Sequence, residues 1–547
     1  MSNITSNTGA DLAYRALRAL DVEHVFGIVS VHNIPIYDAI LRHGGISPID
    51  MRHEQAAVHA ADGYARSGGK LGVAITSTGP GACNAVPGLF EAGFASSPVL
   101  MLTGQIDTPY LGKGKGFLHE AERQLEMLRT VTRRAEQVRR ADEIAEVLIR
   151  VAMDAQSGRP QPGAVEIPID LQYQPIDDTA VTVPPRRASA PGAASIADAA
   201  RLIGETSRRV IWAGGGVISG NAAALLQRLA EALDAPVFTS GNGRGSIPED
   251  HALAMGPLTA QPELRETLSG AELVIAVGAR FQGGATGNWS LKLPRLIHID
   301  ADASVVNRNY PADVALVGDA EAALSALLAA QNAQPGDPDF LRDAQKRRDE
   351  ARAAIRVQMG PDHLRIMDAI RRGLSRQGNI VRDATVPAYI WGNRLLPVLT
   401  PRTSLSTTSA AIGPGLPLAI GAAVATGEKT VVIQGDGGFM LHIGELATAA
   451  QYQLPLIVCV FNDRGYGVLR AIQRMRFDGR TAGVDIKTPD FVQVAQGMGV
   501  HAEAVASAAE FEAAFERAVA NSGPVLLDID MNALAPMGDL FGRPRRA

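Results

Sequence analysis

The sequence predicts three successive α/β domains, each a parallel sheet covered by helices, and three observations carry that reading. Short apolar runs alternate with helix-like segments along the chain, as parallel sheets require when every crossover supplies a covering helix. Two stretches read as linkers and cut the chain into comparable pieces. A length of 547 residues is enough for three domains of ordinary size.

The first linker, 177–194, is rich in Pro, Ala and Arg. The second, 331–362, opens with Gln334-Pro-Gly-Asp-Pro338 and continues as a charged helix over 340–357. The pieces are therefore 1–176, 190–330 and 360–547. Strands are expected at 72–77, 99–103 and 164–168 in the first piece. The second offers 210–214, 273–278 and 296–300, and the third 430–434, 456–461 and 525–529.

Composition excludes several classes. Hydrophobic residues at 46% and charged residues at 20% describe a globular chain, and a net charge of −5 gives no bias towards nucleic acid or anionic membranes. Only two cysteines occur, Cys83 and Cys459, so no disulfide framework is expected and a reducing compartment fits. No apolar run is long enough to span a membrane, and residues 1–10 lack the regions of a signal peptide. A cytoplasmic location is the expectation.

The chemistry concentrates in a few segments. Gly435-Asp436-Gly437-Gly438 follows the strand 430–434, and Asn462 ends the strand-like run 456–461, 26 positions after Asp436. A carboxylate and an amide at two neighbouring strand ends are hard oxygen ligands suited to Mg²⁺, and glycines let backbone approach phosphate oxygens. Arg52-His53-Glu54-Gln55-Ala56-Ala57 places a carboxylate at the start of a helix that runs into Asp62-Gly-Tyr-Ala-Arg66. Thr78-Gly79-Pro80-Gly-Ala-Cys-Asn84 is a Gly-Pro turn after a strand, and Ala410-Ala411-Ile412-Gly413-Pro414 is a second such turn. His32 and His119 lie in loop-like segments and are candidate proton shuttles near neutral pH.

These segments resemble the thiamine diphosphate enzymes, in the acetolactate synthase-like and benzaldehyde lyase-like branch, over nearly the whole chain. The resemblance implies pyrimidine-binding, middle and diphosphate-binding domains in that order. It implies that Asp436, Asn462 and the Arg464 carbonyl hold Mg²⁺ with the diphosphate, beside Gly435, Gly437 and Gly438. It makes Glu54 the partner of the aminopyrimidine nitrogen, with which a carboxyl in an apolar site can share a proton. Gly79, Pro80 and Asn84 would pack beside the cofactor, Ala410 would lie in its loop, and Ile412 would set its bend. His32 and His119 fall on the substrate side. By resemblance Glu54 and the metal residues of one site come from different chains, so a homodimer is the minimum and a homotetramer is expected.

The resemblance also has gaps. Ile472 stands where synthases carry a Trp, and Thr385-Val386-Pro387 where they show Gly-Gln-His. Gly256-Pro-Leu-Thr-Ala260 replaces a Met-His-Gly segment, so FAD is disfavoured although Gly278-Ala-Arg-Phe281 survives. Trp212-Ala-Gly-Gly-Gly216 lacks the G-x-G-x-x-G spacing, which sets aside a nicotinamide dehydrogenase. Carboligation of 2-keto acids leads. Cleavage of acyloins, diketones or 2-hydroxyacyl-CoA follows, and 2-keto acid decarboxylation comes third because no His-His pair occurs in the sequence. A basic tail, Arg543-Pro-Arg-Arg546, would suit CoA but reads as a solvated terminus. Intact Glu54, Asp436 and Asn462 argue against a catalytically silent paralogue.

Overall fold

The computed structural model describes residues 7–177, 179–186 and 188–538, and the basic tail at 543–546 lies outside them. The described residues contain three six-stranded sheets in which every pairing is parallel. The first holds β1 (His24–Gly27), β2 (Ser47–Asp50), β3 (Gly72–Thr76), β4 (Val99–Gln105), β5 (Arg134–Gln137) and β6 (Gly163–Pro168). The second holds β7 (Arg209–Ala213), β8 (Val237–Thr239), β9 (Ala254–Gly256), β10 (Leu273–Val277), β11 (Arg295–Asp300) and β12 (Val314–Val317). The third holds β13 (Asn379–Arg382), β14 (Ser404–Ser406), β15 (Thr430–Gly435), β16 (Leu456–Asn462), β17 (His501–Val505) and β18 (Val525–Asp530).

The first and third sheets share one strand order, β2-β1-β3-β4-β6-β5 and β14-β13-β15-β16-β18-β17. The second runs β12-β11-β10-β7-β8-β9, the doubly wound order. Central strands such as β3, β4, β7 and β10 are buried at every position, which is why they read as unbroken apolar runs. At the switch between β7 and β10 the glycine-rich turn is used for packing. A Cβ on Gly214 would lie 1.9 Å from the Gly278 carbonyl oxygen.

Packing divides the chain into two compact units. One combines the first sheet with Leu416–Gly427 and His442–Leu454, and the other contains the second and third sheets. In the second unit the charged helix expected over 340–357 extends from Pro338 to Gly373, interrupted at Gly360 (φ 74°, ψ 170°) ahead of Pro361. It buries Ala344, Ala351, Ile355 and Met359 in a cluster shared with Trp212 of β7 and Val431 of β15. A segment that looks like a charged spacer thus carries an apolar stripe. Among the described residues, no helix is long and apolar enough to cross a membrane.

The helix Gly9–Ala19 shows how local chemistry fixes an entry point to the first sheet. Thr8 and Asp11 form a capping box, with the Thr8 N–H donating to Asp11 Oδ2 at 2.8 Å. Arg42 Nη2 and His43 Nε2 donate to the other oxygen at 2.8 and 2.7 Å. Burial alone would raise the Asp11 pKa, but these bonds outweigh it and hold the group at about 2. A folded pKa below the unfolded one stabilises above the unfolded value, and the benefit fades as pH falls towards the folded value. Asp11→Asn is expected to cost about 2 kcal/mol at neutral pH. In urea unfolding, the gap between variant and wild type should narrow as pH drops below about 4.

Candidate active site

Parallel sheets bind ligands at the carboxyl ends of strands, where the strand order reverses. In the first sheet that switch lies between β1 and β3, and in the third between β13 and β15. The sequence-predicted residues gather at these two places, and each is described by itself.

At the first switch, the loop after β1 is braced by Asn33, whose side chain accepts from the Ser30 N–H at 2.7 Å and donates to the Ile28 carbonyl at 3.0 Å. This buries His32. After β3, Gly79 takes a left-handed φ of 57° and caps the helix Pro80–Ala95, with Pro80 at its first position. His119, itself left-handed at φ 63°, rests on that turn: its carbonyl oxygen would be 2.6 Å from a Cβ at Gly79. The two imidazoles, distant in sequence, meet with ring centroids 5.2 Å apart. Burial lowers the His32 pKa, the nearby His119 lowers it further, and Asp107 opposes both, so His32 is neutral at pH 7. The Nδ1 atoms of both rings are buried without a hydrogen-bond partner among the described residues.

Glu54 is the first residue of the helix Glu54–Gly68, and His53 caps that helix by accepting the Gln55 N–H at Nδ1, 3.1 Å away. The Glu54 carboxylate accepts from Asn84 Nδ2 at 3.0 Å. A Cβ at Gly81 would approach its other oxygen to 3.1 Å. Glu54, the Gly79–Asn84 turn and both histidines therefore belong to one neighbourhood.

At the second switch, β15 delivers Asp436, which is 1% exposed and accepts the Gly465 N–H at 2.8 Å. Asn462 ends β16. It donates to Asp528 at 3.1 Å and accepts the Arg464 N–H at 3.2 Å. Arg464 is left-handed (φ 60°), and its carbonyl accepts from Arg470 at 3.1 Å. Burial raises the pKa of Asp436; burial and then Asp436 itself push Asp463 up to about 6. Two adjacent carboxylates with raised pKa values form a place where a divalent cation is electrostatically welcome. The donors are a carboxylate, an amide and a main-chain carbonyl, all hard oxygens, so the residues present fit Mg²⁺. Among the described residues no cluster of three or more His, Cys, Asp or Glu is arranged to hold a metal, and this mixed donor set is not of that kind.

The glycines beside Asp436 divide by role. A Cβ on Gly437 would strike the Tyr466 ring at 2.7 Å, and one on Gly435 would meet Thr385 Oγ1 at 2.9 Å. A Cβ on Gly438 would only touch the Gly413 nitrogen at 3.4 Å and the Asp383 carboxylate at 3.6 Å, so this glycine packs against the 413 turn without a clash. The turn at 410–415 carries left-handed Ala410 (φ 64°) and presents Ile412 37% exposed. Left-handed non-glycine residues at His119, Ala410 and Arg464 mark three site loops with stored strain.

Sequence alone assigns no role to Asp383, Gln124 or Glu166. Asp383 follows β13 and is buried; its carboxylate accepts the N–H groups of Gly413 (3.0 Å) and Gly415 (2.9 Å) and Gln434 Nε2 (2.7 Å). It therefore clamps the Ile412 turn to two strand ends. Gln124 accepts the Gly79 N–H at 2.7 Å and donates to the buried Glu166 at 2.8 Å. Burial raises Glu166 to about 7, against the pull of bonds from Gln124 and Gln137.

Family models match all three pieces of the chain: the N-terminal TPP binding domain of thiamine pyrophosphate enzymes at 7–127, their central domain at 196–327 and their C-terminal TPP binding domain at 387–529. The chain is 34% identical to a probable acetolactate synthase large subunit of Methanocaldococcus jannaschii, over 95% of this chain and 91% of that protein. It is 30% identical to the acetolactate synthase isozyme 3 large subunit of Escherichia coli K12, over 96% and 95% respectively. It is also 33% identical to a probable 2-ketoarginine decarboxylase of Pseudomonas aeruginosa, over 95% and 94%.

Asp383→Asn turns an amide N–H towards the donors of Gly413 or Gly415, removing charge-assisted bonds worth about 1.5–3 kcal/mol. The variant is expected to unfold at lower urea concentration and to be cleaved faster by protease within residues 405–415. Unchanged cleavage there would show that the clamp is dispensable.

Proposed function

The chain belongs to the thiamine pyrophosphate enzyme family, on its acetolactate synthase-like branch, and from that premise we propose that it is a Mg²⁺-dependent carboligase of 2-keto acids. The observation that carries this reading is the retention of Glu54, Asp436 and Asn462 in a chain that aligns with acetolactate synthase large subunits over 95% of its length. Bound thiamine diphosphate supplies a carbon nucleophile and an electron sink for bonds made or broken next to a carbonyl. Asp436, Asn462 and the Arg464 carbonyl would hold Mg²⁺ and with it the diphosphate. Gly435, Gly437 and Gly438 form the turn beside that group. Ile412, on its clamped turn with Ala410, offers an apolar surface for the cofactor to lie on. Glu54, oriented by Asn84, would face the pyrimidine ring as its carboxyl partner, with Gly79 and Pro80 shaping the adjoining turn. His32, kept neutral by its surroundings, takes or gives a proton at the substrate oxygen with His119 beside it.

We assign residues 1–176 to pyrimidine binding, 190–330 to the middle domain and 360–547 to diphosphate binding. No FAD is assigned to the middle domain. The assembly proposed is a homodimer at least, and a homotetramer by the family's habit. The helix Pro80–Ala95 supports it with an exposed stripe of Cys83, Pro87, Phe90 (54%) and Phe94 (39%), whose two phenylalanines stack. A cytoplasmic location fits the two unpaired cysteines.

A second reading, 2-keto acid decarboxylation, is favoured by one observation. The sequence has no adjacent histidine pair, yet the fold makes one from His32 and His119. Incubation with carbon-13 pyruvate, thiamine diphosphate and Mg²⁺, followed by NMR, separates the two. Acetolactate or acetoin supports the carboligase, free acetaldehyde the decarboxylase, and no turnover excludes pyruvate as donor. Glu54→Gln is expected to keep the melting temperature and lose at least about a hundredfold in turnover. Chelation with EDTA should abolish activity, and added Mg²⁺ should restore it.

A further inference from the structure

We infer that Gln124, held in one orientation by the buried carboxylate of Glu166, is the positioning residue that sets the separation of the His32 and His119 imidazoles. The inference rests on the histidine pair being the substrate-side proton relay.

The geometry is that of one planar amide spanning two backbone points. Gln124 Oε1 accepts the Gly79 N–H at 2.7 Å and the Thr78 hydroxyl at 2.9 Å. Its Nε2 donates to Glu166 Oε1 at 2.8 Å and to the Gly104 carbonyl at 3.3 Å. All four hydrogen-bonding capacities of the amide are used inside the protein. Each backbone point carries one histidine. A Cβ on Gly79 would collide with the His119 carbonyl at 2.6 Å, and one on Gly104 with the His32 carbonyl and Cβ at 2.5 and 2.7 Å. On its other side the His32 carbonyl is tied to Gln172 Nε2 at 2.9 Å.

Glu166 decides which way the amide faces. Both of its oxygens accept, Oε1 from Gln124 Nε2 at 2.8 Å and Oε2 from Gln137 Nε2 at 3.0 Å. Gln124 must therefore turn its NH₂ to Glu166, which leaves its oxygen for the Gly79 N–H. A flipped amide would face acceptor to acceptor at Glu166 and donor to donor at Gly79. Both ends are buried, so neither mismatch can be relieved by solvent. Neither Gln124 nor Glu166 reaches the substrate side in this scheme; they act only through the two turns.

The test uses Glu166→Gln, which keeps shape but removes the directional demand, and Gln124→Met, which removes the amide at similar volume. Each is compared with His32→Ala and combined with it in a double-mutant cycle. Turnover of the pyruvate reaction is expected to fall about tenfold or more in each single variant, with thiamine diphosphate affinity unchanged. Adding Glu166→Gln to His32→Ala should cost little more, because both disable one unit. In the protein labelled at histidine Cε1, the resonances of His32 and His119 should shift in Glu166→Gln while those of other histidines stay in place. Multiplicative losses with unmoved His32 and His119 resonances would overturn the inference and leave a plain core network. Full turnover in His32→Ala would instead sink the relay reading. The labelled spectra would then judge the positioning claim alone, with unmoved resonances ending it.

Discussion

A parallel strand can be joined to its neighbour only by a crossover that returns over the sheet, and in an open sheet those crossovers must at some point change sides. At that point two adjacent strands send their chains in opposite directions and leave a crevice that backbone does not fill. The first and third sheets, which share one strand order, each have that crevice after their first and third strands. The loop of His32 and the turn of Gly79 flank one, and Asp383 and Asp436 flank the other. The middle sheet has the corresponding place after β7 and β10, but Gly214 and Gly278 close it by direct backbone contact.

Buried carboxylates do the remaining work, and their different environments separate their roles. Asp383 faces N–H donors from Ala384, Gly413, Gly415 and Gln434, so its charge is matched by fixed dipoles and it behaves as a structural rivet. Burial pushes Glu166 up to about 7, and hydrogen bonds from the amides of Gln124, Gln137 and Gln105 only partly offset that rise. Asp436 lies beside the Asp463 carboxylate, which pairs with Arg470 at 3.5 Å; burial raises the Asp436 pKa against the pull of the Gly465 N–H.

How much of this could be read in the sequence depends on what kind of information each feature carries. The central strands and the order of three α/β pieces were legible because burial on both faces forces unbroken apolar runs. Edge strands such as β2 (Ser-Pro-Ile-Asp) and β5 (Arg-Ala-Glu-Gln) were not, since each buries a single residue and pairs on one side. Glu54, Asp436 and Asn462 stand out because they sit at a fixed interval from a strand or helix end. Gln124 and Glu166 do not, because a glutamine in a short helix becomes meaningful only when β6 brings Glu166 beside it, 42 positions away. The charged helix expected over 340–357 covers nearly the whole stretch before the Gly360 kink, while its apolar stripe is hidden by a charged face that dominates composition.

The histidine pair shows why local patterns also mislead about chemistry. An adjacent His-His is one way to bring two imidazoles together, and its absence lowered the standing of decarboxylation. The fold reaches the same contact by docking a left-handed residue, His119, on a turn that only glycine allows, against a loop stabilised by Asn33. Relatives with synthase and decarboxylase names are about equally similar to this chain, so overall identity does not separate the two outcomes. What separates them is how a few side chains treat the proton released or taken up beside the bond that changes. In the reading proposed above, a His32 held neutral by burial, with a second imidazole 5.2 Å away, would be the group that handles it.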